Sequence, residues 1–140
     1  MVIVIIDAGV ALKWFVDEDG SKPAEILLTR ADVLIAPDLI RPEVCNATWK
    51  MVRRGMMHPA QQIAAVTRVP SILDELVPTA AFAPRAAALS RALDHPVYDC
   101  FYMALREQRD GTLVSADRRL VHRVTDTIWE RMVTDLRMIA

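Results

Sequence analysis

The stretch VIVIIDAGV, residues 2–10, decides how the chain folds. It opens with five β-branched apolar residues, which suit a strand buried on both faces, as strands of parallel sheets are. Asp7 follows directly, and residues 8–16 have the pattern of a helix. The stretch therefore predicts a turn from strand to helix, with one carboxylate at the carboxyl end of the strand.

The rest of the chain alternates short apolar segments with helical ones. Strands are predicted at residues 33–36, 72–77 and 112–115, with an edge strand in RMVTDL, residues 131–136. Helices are predicted at residues 23–30, 39–54, 59–66, 83–93, 97–108 and 118–124. This alternation indicates an α/β fold with a mostly parallel central sheet.

Length and composition set the class of protein. The chain has 140 residues, of which 53% are hydrophobic and 25% are charged, so we expect one domain over residues 1–140 with a substantial core. A formal net charge of -1 means that any nucleic acid would have to bind a local basic patch. Two cysteines without metal-binding spacing favour a reducing cytoplasm. No secretory signal or membrane span is expected.

Three aspartates lie at positions where a fold of this class commonly binds ligands. Asp7 and Asp117 each follow a predicted strand, and Asp99 lies in the first turn of the helix at 97–108. Singly, each could be only a helix-capping residue, because aspartate accepts hydrogen bonds from free backbone N–H groups. Together they indicate more, since ligands of open parallel sheets bind outside the carboxyl ends of the strands.

Glu43 adds a fourth carboxylate. It lies at the flank of the apolar face of the helix at 39–54, with Asn46 three and Lys50 seven residues further on. From there it can reach the same sheet edge, although a first-turn glutamate is also common without any function.

A divalent cation would relieve the repulsion among four such carboxylates. Converging carboxylates raise one another's pKa unless a positive charge lies among them. Oxygen ligands without histidine or cysteine suit a hard ion such as Mg²⁺ or Mn²⁺. Ions of this kind commonly serve phosphoryl chemistry.

Four motifs resemble, in order, the acidic motifs of PIN-domain ribonucleases, and most closely the VapC-type toxins of bacterial toxin–antitoxin pairs. They read IIDAGVALKWF, APDLIRPEVCNATWKMVRRG, VYDCFYMAL and LVSADRRL. The resemblance implies a three-layer α/β/α sandwich and Mg²⁺- or Mn²⁺-dependent endoribonuclease activity. It places the catalytic and metal-binding acids at Asp7, Glu43, Asp99 and Asp117, and matches Asn46 to a frequent asparagine of the family. It also implies a homodimer and a cognate antitoxin that occupies the cleft.

Two positions depart from the family pattern. Gly9 stands where the family often has Ser, Thr or Asn, and Arg119 stands where some members carry a further acid. The resemblance therefore favours one tightly bound ion, with a second ion weaker or brought by the substrate.

Basic and aromatic residues complete the predicted site. Arg118 and Lys50 are the favoured phosphate contacts, since RNA binding needs cations near the cleft. We interpret the histidines as structural or surface residues, and Trp14, Tyr98 and Tyr102 as packing residues.

Other function classes fit less well. A phospho-receiver would need a pair of acids after the first strand and a late lysine, and a dehalogenase-type phosphatase would need D-x-D where the chain has DAG. A catalytically silent PIN-fold module that only binds a partner stays open. The motifs do not specify which RNA would be cut.

Overall fold

The chain forms one five-stranded sheet with helices between its strands, in a computed structural model that describes residues 2–31 and 33–140. The strands are β1 (Ile3–Ile6), β2 (Val33–Pro37), β3 (Glu75–Val77), β4 (Thr112–Ser115) and β5 (Val133–Asp135). The helices are α1 (Ala8–Leu12), α2 (Ser21–Arg30), α3 (Ile40–Arg53), α4 (Pro59–Ile72), α5 (Ala83–Leu93), α6 (Val97–Arg109) and α7 (Arg118–Val124). Short 3-10 turns lie at Thr79–Ala81, Glu130–Met132 and Leu136–Met138.

The sheet has the strand order β3-β2-β1-β4-β5, and each neighbouring pair is parallel. β1 is central, and its residues 4–6 are buried, as a strand covered on both faces requires. Ile6 pairs with Val114, so Asp7, the residue directly after β1, lies at the level of Ser115, the last residue of β4. The predicted α/β class with a parallel sheet is confirmed, and the edge strand is β5.

The chain changes direction across the sheet between β3 and β4. It runs outward from β1 through β2 to β3, and then returns past both to place β4 on the other side of β1. Because crossovers between parallel strands are right-handed, α1 to α4 cover one face and α5 to α7 the other. α6 packs on β1, β2 and β4. The result is a three-layer sandwich whose switch point lies between the carboxyl ends of β1 and β4, where open sheets bind ligands.

Gly111 sets how closely the chain can enter β4. A Cβ at this position would lie 2.9 Å from the carbonyl oxygen of Ile3, closer than real Cβ atoms approach backbone. A glycine is therefore needed for β4 to begin beside the start of β1.

Some predicted boundaries were wrong. α1 ends at Leu12 instead of residue 16, because the amides of Trp14 and Phe15 bond to carbonyls three residues back and tighten the chain into a turn. α2 starts two residues earlier than predicted, after Gly20 in the left-handed region. α4 continues to Ile72 and contains Pro70, which removes one backbone hydrogen bond from the helix two residues before its end. β3 is correspondingly shorter than predicted.

Helix α3 ends just before Gly55, as the sequence predicts. Gly55 has φ +72°, and the amide of Met56 bonds to the carbonyl of Met51 at 2.8 Å, which is a glycine-terminated Schellman turn. None of the helices in residues 2–31 and 33–140 is long and apolar enough to span a membrane.

Candidate active site

A cleft of about 340 Å³ opens at the carboxyl ends of β1 and β4. All four predicted acids line it, although they come from four separate segments of the chain: Asp7, Glu43, Asp99 and Asp117. Gly9 and Lys13 contribute to the same lining. The carboxylates that the sequence predicts to converge are therefore brought to one cavity.

Asp7 is the most enclosed of the four, with 7% of its surface exposed. It caps the N-terminus of α1, and its Oδ1 accepts from the amide of Val10 at 2.9 Å. Its Oδ2 accepts from the amide of Ala116 at 3.2 Å and from the hydroxyl of Ser115. Donors from the start of α1 and from the end of β4 thus fix this carboxylate in place.

Burial raises the pKa of Asp7 from 3.8 to about 6. The hydrogen bonds from Ser115 and Val10 lower this pKa, while the nearby charge of Asp99 raises it. Without a cation, the carboxyl therefore takes up a proton more readily than an exposed aspartate does.

Glu43 projects from the first turn of α3 and is held by a tyrosine. The hydroxyl of Tyr102 on α6 donates to its Oε1 at 2.6 Å. Burial raises the pKa of Glu43 from 4.5 to about 7; the Tyr102 hydrogen bond lowers it, and the charges of Asp99 and Asp7 raise it. Tyr102 is itself almost fully buried, whereas Glu43 is half-buried, so the contact joins the core to the wall of the cleft.

Asp99 is paired with His95, which lies four residues before it in the loop that leads into α6. The Nε2 of His95 lies 2.6 Å from Oδ2 of Asp99, and the histidine side chain is only 7% exposed. Burial raises the pKa of Asp99; the hydrogen bond to His95 lowers it, and the charge of Asp117 raises it. Asp99 and Asp117 are thus close enough in the cleft for the charge of one to act on the other.

Asp117 caps α7, as Asp7 caps α1. Its Oδ1 accepts from the amide of Arg119 at 2.8 Å, and its own amide donates to the hydroxyl oxygen of Ser115 at 3.0 Å. Ser115, which is fully buried, thus contacts both strand-end aspartates at once.

The donor chemistry of the cleft matches a hard cation, but the ligands are not already assembled. Within residues 2–31 and 33–140, no group of three or more His, Cys, Asp or Glu side chains stands ready to hold a metal ion. Asp7, Glu43 and Asp99 instead accept hydrogen bonds from their neighbours. Carboxylate oxygens that line one cavity are nevertheless suitable ligands for Mg²⁺ or Mn²⁺. The pKa values of Asp7, Glu43 and Asp99 are all raised in the absence of such an ion.

The predicted substrate-binding residues flank the cleft on two sides. Asn46 and Lys50 line an adjoining cavity of about 380 Å³, which shares Ala8 and Glu43 with the cleft. Arg118 does not line the cleft itself; it lies in a small neighbouring cavity that shares Lys13 and Ala116 with it. The structure thus places Lys50 and Arg118 in two different cavities that adjoin the cleft.

Three residues of the site are not predicted as such by the sequence: Ser115, Tyr102 and His95. Tyr102 packs in the core as predicted, but its hydroxyl also reaches Glu43. His95, which we interpret from the sequence as structural or surface, contacts an acid of the cleft. His95 lies in the loop between α5 and α6, before α6 begins, so no helical spacing in the sequence predicts this contact.

Comparison of the sequence with models of protein families gives a match. The model described as PIN domain matches residues 4–126 of the chain. Ribonuclease VapC3 of Pyrobaculum aerophilum is 30% identical over 122 residues, which cover 86% of this chain and 93% of that protein.

Solved structures share the fold. PAE2754 from Pyrobaculum aerophilum superposes with a TM-score of 0.70 at 18% identity, covering 97% of this chain and 85% of that one. VapBC2 from Rickettsia felis, bound to a DNA fragment from their promoter, gives a TM-score of 0.61 at 11% identity, covering 95% of this chain and 98% of that one. Matched along most of its length by sequence and by structure, the chain belongs to the PIN-domain family and is similar to the ribonuclease VapC3.

Proposed function

We propose that this protein is a metal-dependent endoribonuclease, the toxin of a type II toxin–antitoxin pair. One observation carries the proposal: four carboxylates from four separate segments line a single cleft at the switch point of a parallel sheet. The family and the 30% identity to a ribonuclease support the choice of RNA as substrate.

We propose Mg²⁺ or Mn²⁺ as the cofactor and Asp7, Glu43, Asp99 and Asp117 as the catalytic and metal-binding acids. Bound there, the cation would activate water at neutral pH and neutralise charge on the phosphodiester. Asp7 and Asp117 would supply oxygens from the strand ends, and Glu43 and Asp99 from the helices on either face.

Residues around the acids prepare the site. His95 and Tyr102 orient Asp99 and Glu43 through one hydrogen bond each. Ser115 fixes Asp7 while it accepts from the amide of Asp117. These contacts set carboxylate positions before substrate arrives, which is how a site avoids reorganisation during the reaction.

Asn46, Lys50 and Arg118 are proposed to bind the RNA backbone. Asn46 and Lys50 lie on the Glu43 side of the cleft and Arg118 on the Lys13 side. Cations in these two adjoining cavities would position a strand across the acids without reading its sequence.

The partners follow from the proposed class. A cognate antitoxin protein would block the cleft, and the likeness of the chain to VapBC2 of Rickettsia felis, a toxin–antitoxin structure, supports such a partner. A homodimer acting in the cytoplasm is part of the same proposal.

Cleavage assays test the proposal. We expect the full chain to cleave single-stranded RNA with Mg²⁺ or Mn²⁺ and to stop when EDTA is added. Asp7→Asn and Asp99→Asn should each reduce the rate by about 100- to 1,000-fold, because a bound cation contributes several kcal/mol to the transition state.

Asp110→Asn is the matched control. This exposed aspartate ends α6 in the left-handed conformation that asparagine tolerates, so cleavage should be unchanged. Wild-type rates in both cleft variants would contradict the assigned site. If the chain neither cleaves RNA nor gives heat on titration with Mn²⁺, it is a silent PIN-fold module that acts only by binding a partner.

A further inference from the structure

An exposed tryptophan lies on α3 beyond the predicted phosphate contacts. The side chain of Trp49 is large and apolar, yet the residue is 48% exposed. With Lys50, Arg53 and Arg54 it lines a cavity of about 220 Å³, called here the Trp49 pocket. A half-exposed indole surrounded by three cations is unlike a core residue, and it fits an anionic ligand that has flat rings.

The Trp49 pocket adjoins a second cavity, which in turn adjoins the cleft. Lys50 and Arg54 also line the cavity that contains Glu43 and Asn46, and Glu43 in turn lines the cleft. Since a helix rises 1.5 Å per residue, the ten residues from Glu43 to Arg53 extend about 15 Å, a length of a few nucleotides.

The cations of the Trp49 pocket are available to a ligand. Among the residues that the structure describes, Lys50, Arg53 and Arg54 form no ion pair with a carboxylate. Lys13, by contrast, is bonded to Glu18 at 3.1 Å.

Arg53 already holds the indole in place. Its guanidinium carbon lies 5.3 Å from the centroid of the Trp49 ring, a cation–π contact that orders the ring without burying it. Such an arrangement of an aromatic platform with cations beside it is what single-stranded nucleic acids bind, through base stacking and phosphate contacts.

We propose that the Trp49 pocket is a binding subsite for single-stranded RNA, in which an unpaired base stacks on Trp49. Lys50 and Arg54 hold the phosphates that connect this base to the segment in the cleft. The inference rests on the proposed ribonuclease function for the identity of the nucleic acid. It adds that the substrate must be unpaired on the α3 side, because a base within a duplex cannot stack on a side chain.

Binding measured without cleavage tests the subsite. In the Asp7→Asn background, the affinity for a fluorescently labelled ten-nucleotide RNA is measured by anisotropy. Trp49→Ala should weaken binding by about 5- to 150-fold, the range for loss of one stacked base, while Trp49→Phe should retain most of the affinity. A duplex of the same sequence should not distinguish the three proteins.

Ile63→Ala is the matched control, since Ile63 is an exposed apolar residue of α4, 64% accessible, outside the Trp49 pocket. Equal affinities of Trp49→Ala and its parent for the single strand would overturn the subsite, even if the enzyme cleaves RNA normally. Conversely, a tryptophan-dependent affinity in a chain that cleaves nothing would keep the subsite and reject the proposed activity.

Sedimentation distinguishes a protein contact. Trp49→Ala should leave the oligomeric state of the chain unchanged. If it instead changes the oligomeric state and leaves RNA affinity intact, the Trp49 pocket is a surface for protein and the inference is wrong.

Discussion

The two strand-end acids, Asp7 and Asp117, and the two helix acids, Glu43 and Asp99, line one cleft but are held there by different groups. Each strand-end acid caps a helix and accepts a hydrogen bond from a backbone amide of that helix. Single side chains, Tyr102 and His95, bond to the helix acids. Each strand-end acid therefore has a local backbone donor, which Ser115 and Ala116 supplement at Asp7. The helix acids depend on which side chains pack beside them.

The comparison indicates where the site is sensitive. A capping aspartate keeps its place as long as its helix begins at the same residue, because the amides it bonds to come with the helix. A helix acid loses its orientation when one neighbouring side chain changes. We therefore expect substitutions around Glu43 and Asp99 to alter function with little loss of fold, and those around Asp7 to alter both.

Of the changes considered, replacement of His95 should have the largest effect, and it should disturb only the helix acids. His95→Ala should lower Mn²⁺ affinity and RNA cleavage by about 10- to 100-fold, the usual cost of removing a group that orients a metal ligand. His95→Gln should recover part of this loss, because an amide can still donate. Calorimetry and cleavage rates measure both effects, and His122→Ala on the exposed side of α7 serves as the control. An unaffected His95→Ala would show that Asp99 needs no orienting partner.

Ser115 tests the strand-end side. Ser115→Ala removes a buried donor to Asp7 and leaves the half-buried amide of Asp117 without its acceptor. We expect the free energy of unfolding to fall by about 2 kcal/mol, measured by urea denaturation. Ser71→Ala, which removes an exposed bond to the Arg68 carbonyl, should cost much less. Equal losses for the two variants would mean that Ser115 does not organise the strand ends.

The pH dependence of the free energy of unfolding tests how Glu43 is held. Its pKa is raised from 4.5 to about 7, so its contribution to the stability of the metal-free protein is greatest below pH 4.5 and is lost as pH rises through 7. A pKa change of this size corresponds to about 3 kcal/mol for a fully buried group, and partial exposure reduces it to about 1 to 2 kcal/mol. Glu43→Gln should therefore gain about that much at pH 8 in EDTA and almost nothing at pH 4.

Denaturation at the two pH values measures this gain. Exposed Glu25→Gln on α2 should change the free energy of unfolding by less than about 0.5 kcal/mol at either pH. A Glu43→Gln protein that is less stable than wild type at pH 8 would show that the carboxylate is not repelled by its neighbours.

Gly9 offers the smallest expected effect. A Cβ there would lie 3.3 Å from the Cβ of Ala116 and 3.4 Å from Oδ1 of Asp7, so a side chain fits with a slight shift. Gly9→Ser should tighten Mn²⁺ binding by a few fold, because it adds an oxygen donor to the cleft lining. Gly9→Ala carries the same Cβ without the hydroxyl and isolates that contribution. If calorimetry gives both variants one affinity, the hydroxyl contributes nothing.

What could be predicted from the sequence follows the same division. Asp7 and Asp117 were predictable, because a buried apolar run followed by an aspartate specifies both the strand end and the helix cap. Asp99 and Glu43 were predictable as first-turn acids of periodic helices. Their partners were not predictable. Tyr102 has the spacing of a core residue, and only the packing of α6 on the sheet brings its hydroxyl to Glu43.

The misplaced boundaries have a similar cause. The composition of residues 13–16 suits a helix, but tertiary contacts override it. The lysine at position 13 bonds to Glu18 and to the Asp19 carbonyl, and the indole of Trp14 donates to the carbonyl of Ala24. These contacts tie the turn after α1 to the start of α2. No local pattern encodes them.

The pairing of β4 with β1 also bears on when the protein becomes active during its synthesis. Ser115 bonds to an aspartate 108 positions earlier, and Gly111 admits β4 to the only side of β1 that β2 leaves free. A ribosome that has translated only β1 to α6 has made Asp7, Glu43 and Asp99, but not the strand that completes the cleft. Under the proposed function, the growing chain is therefore harmless to RNA around it until its last segments emerge, and products of interrupted translation stay so.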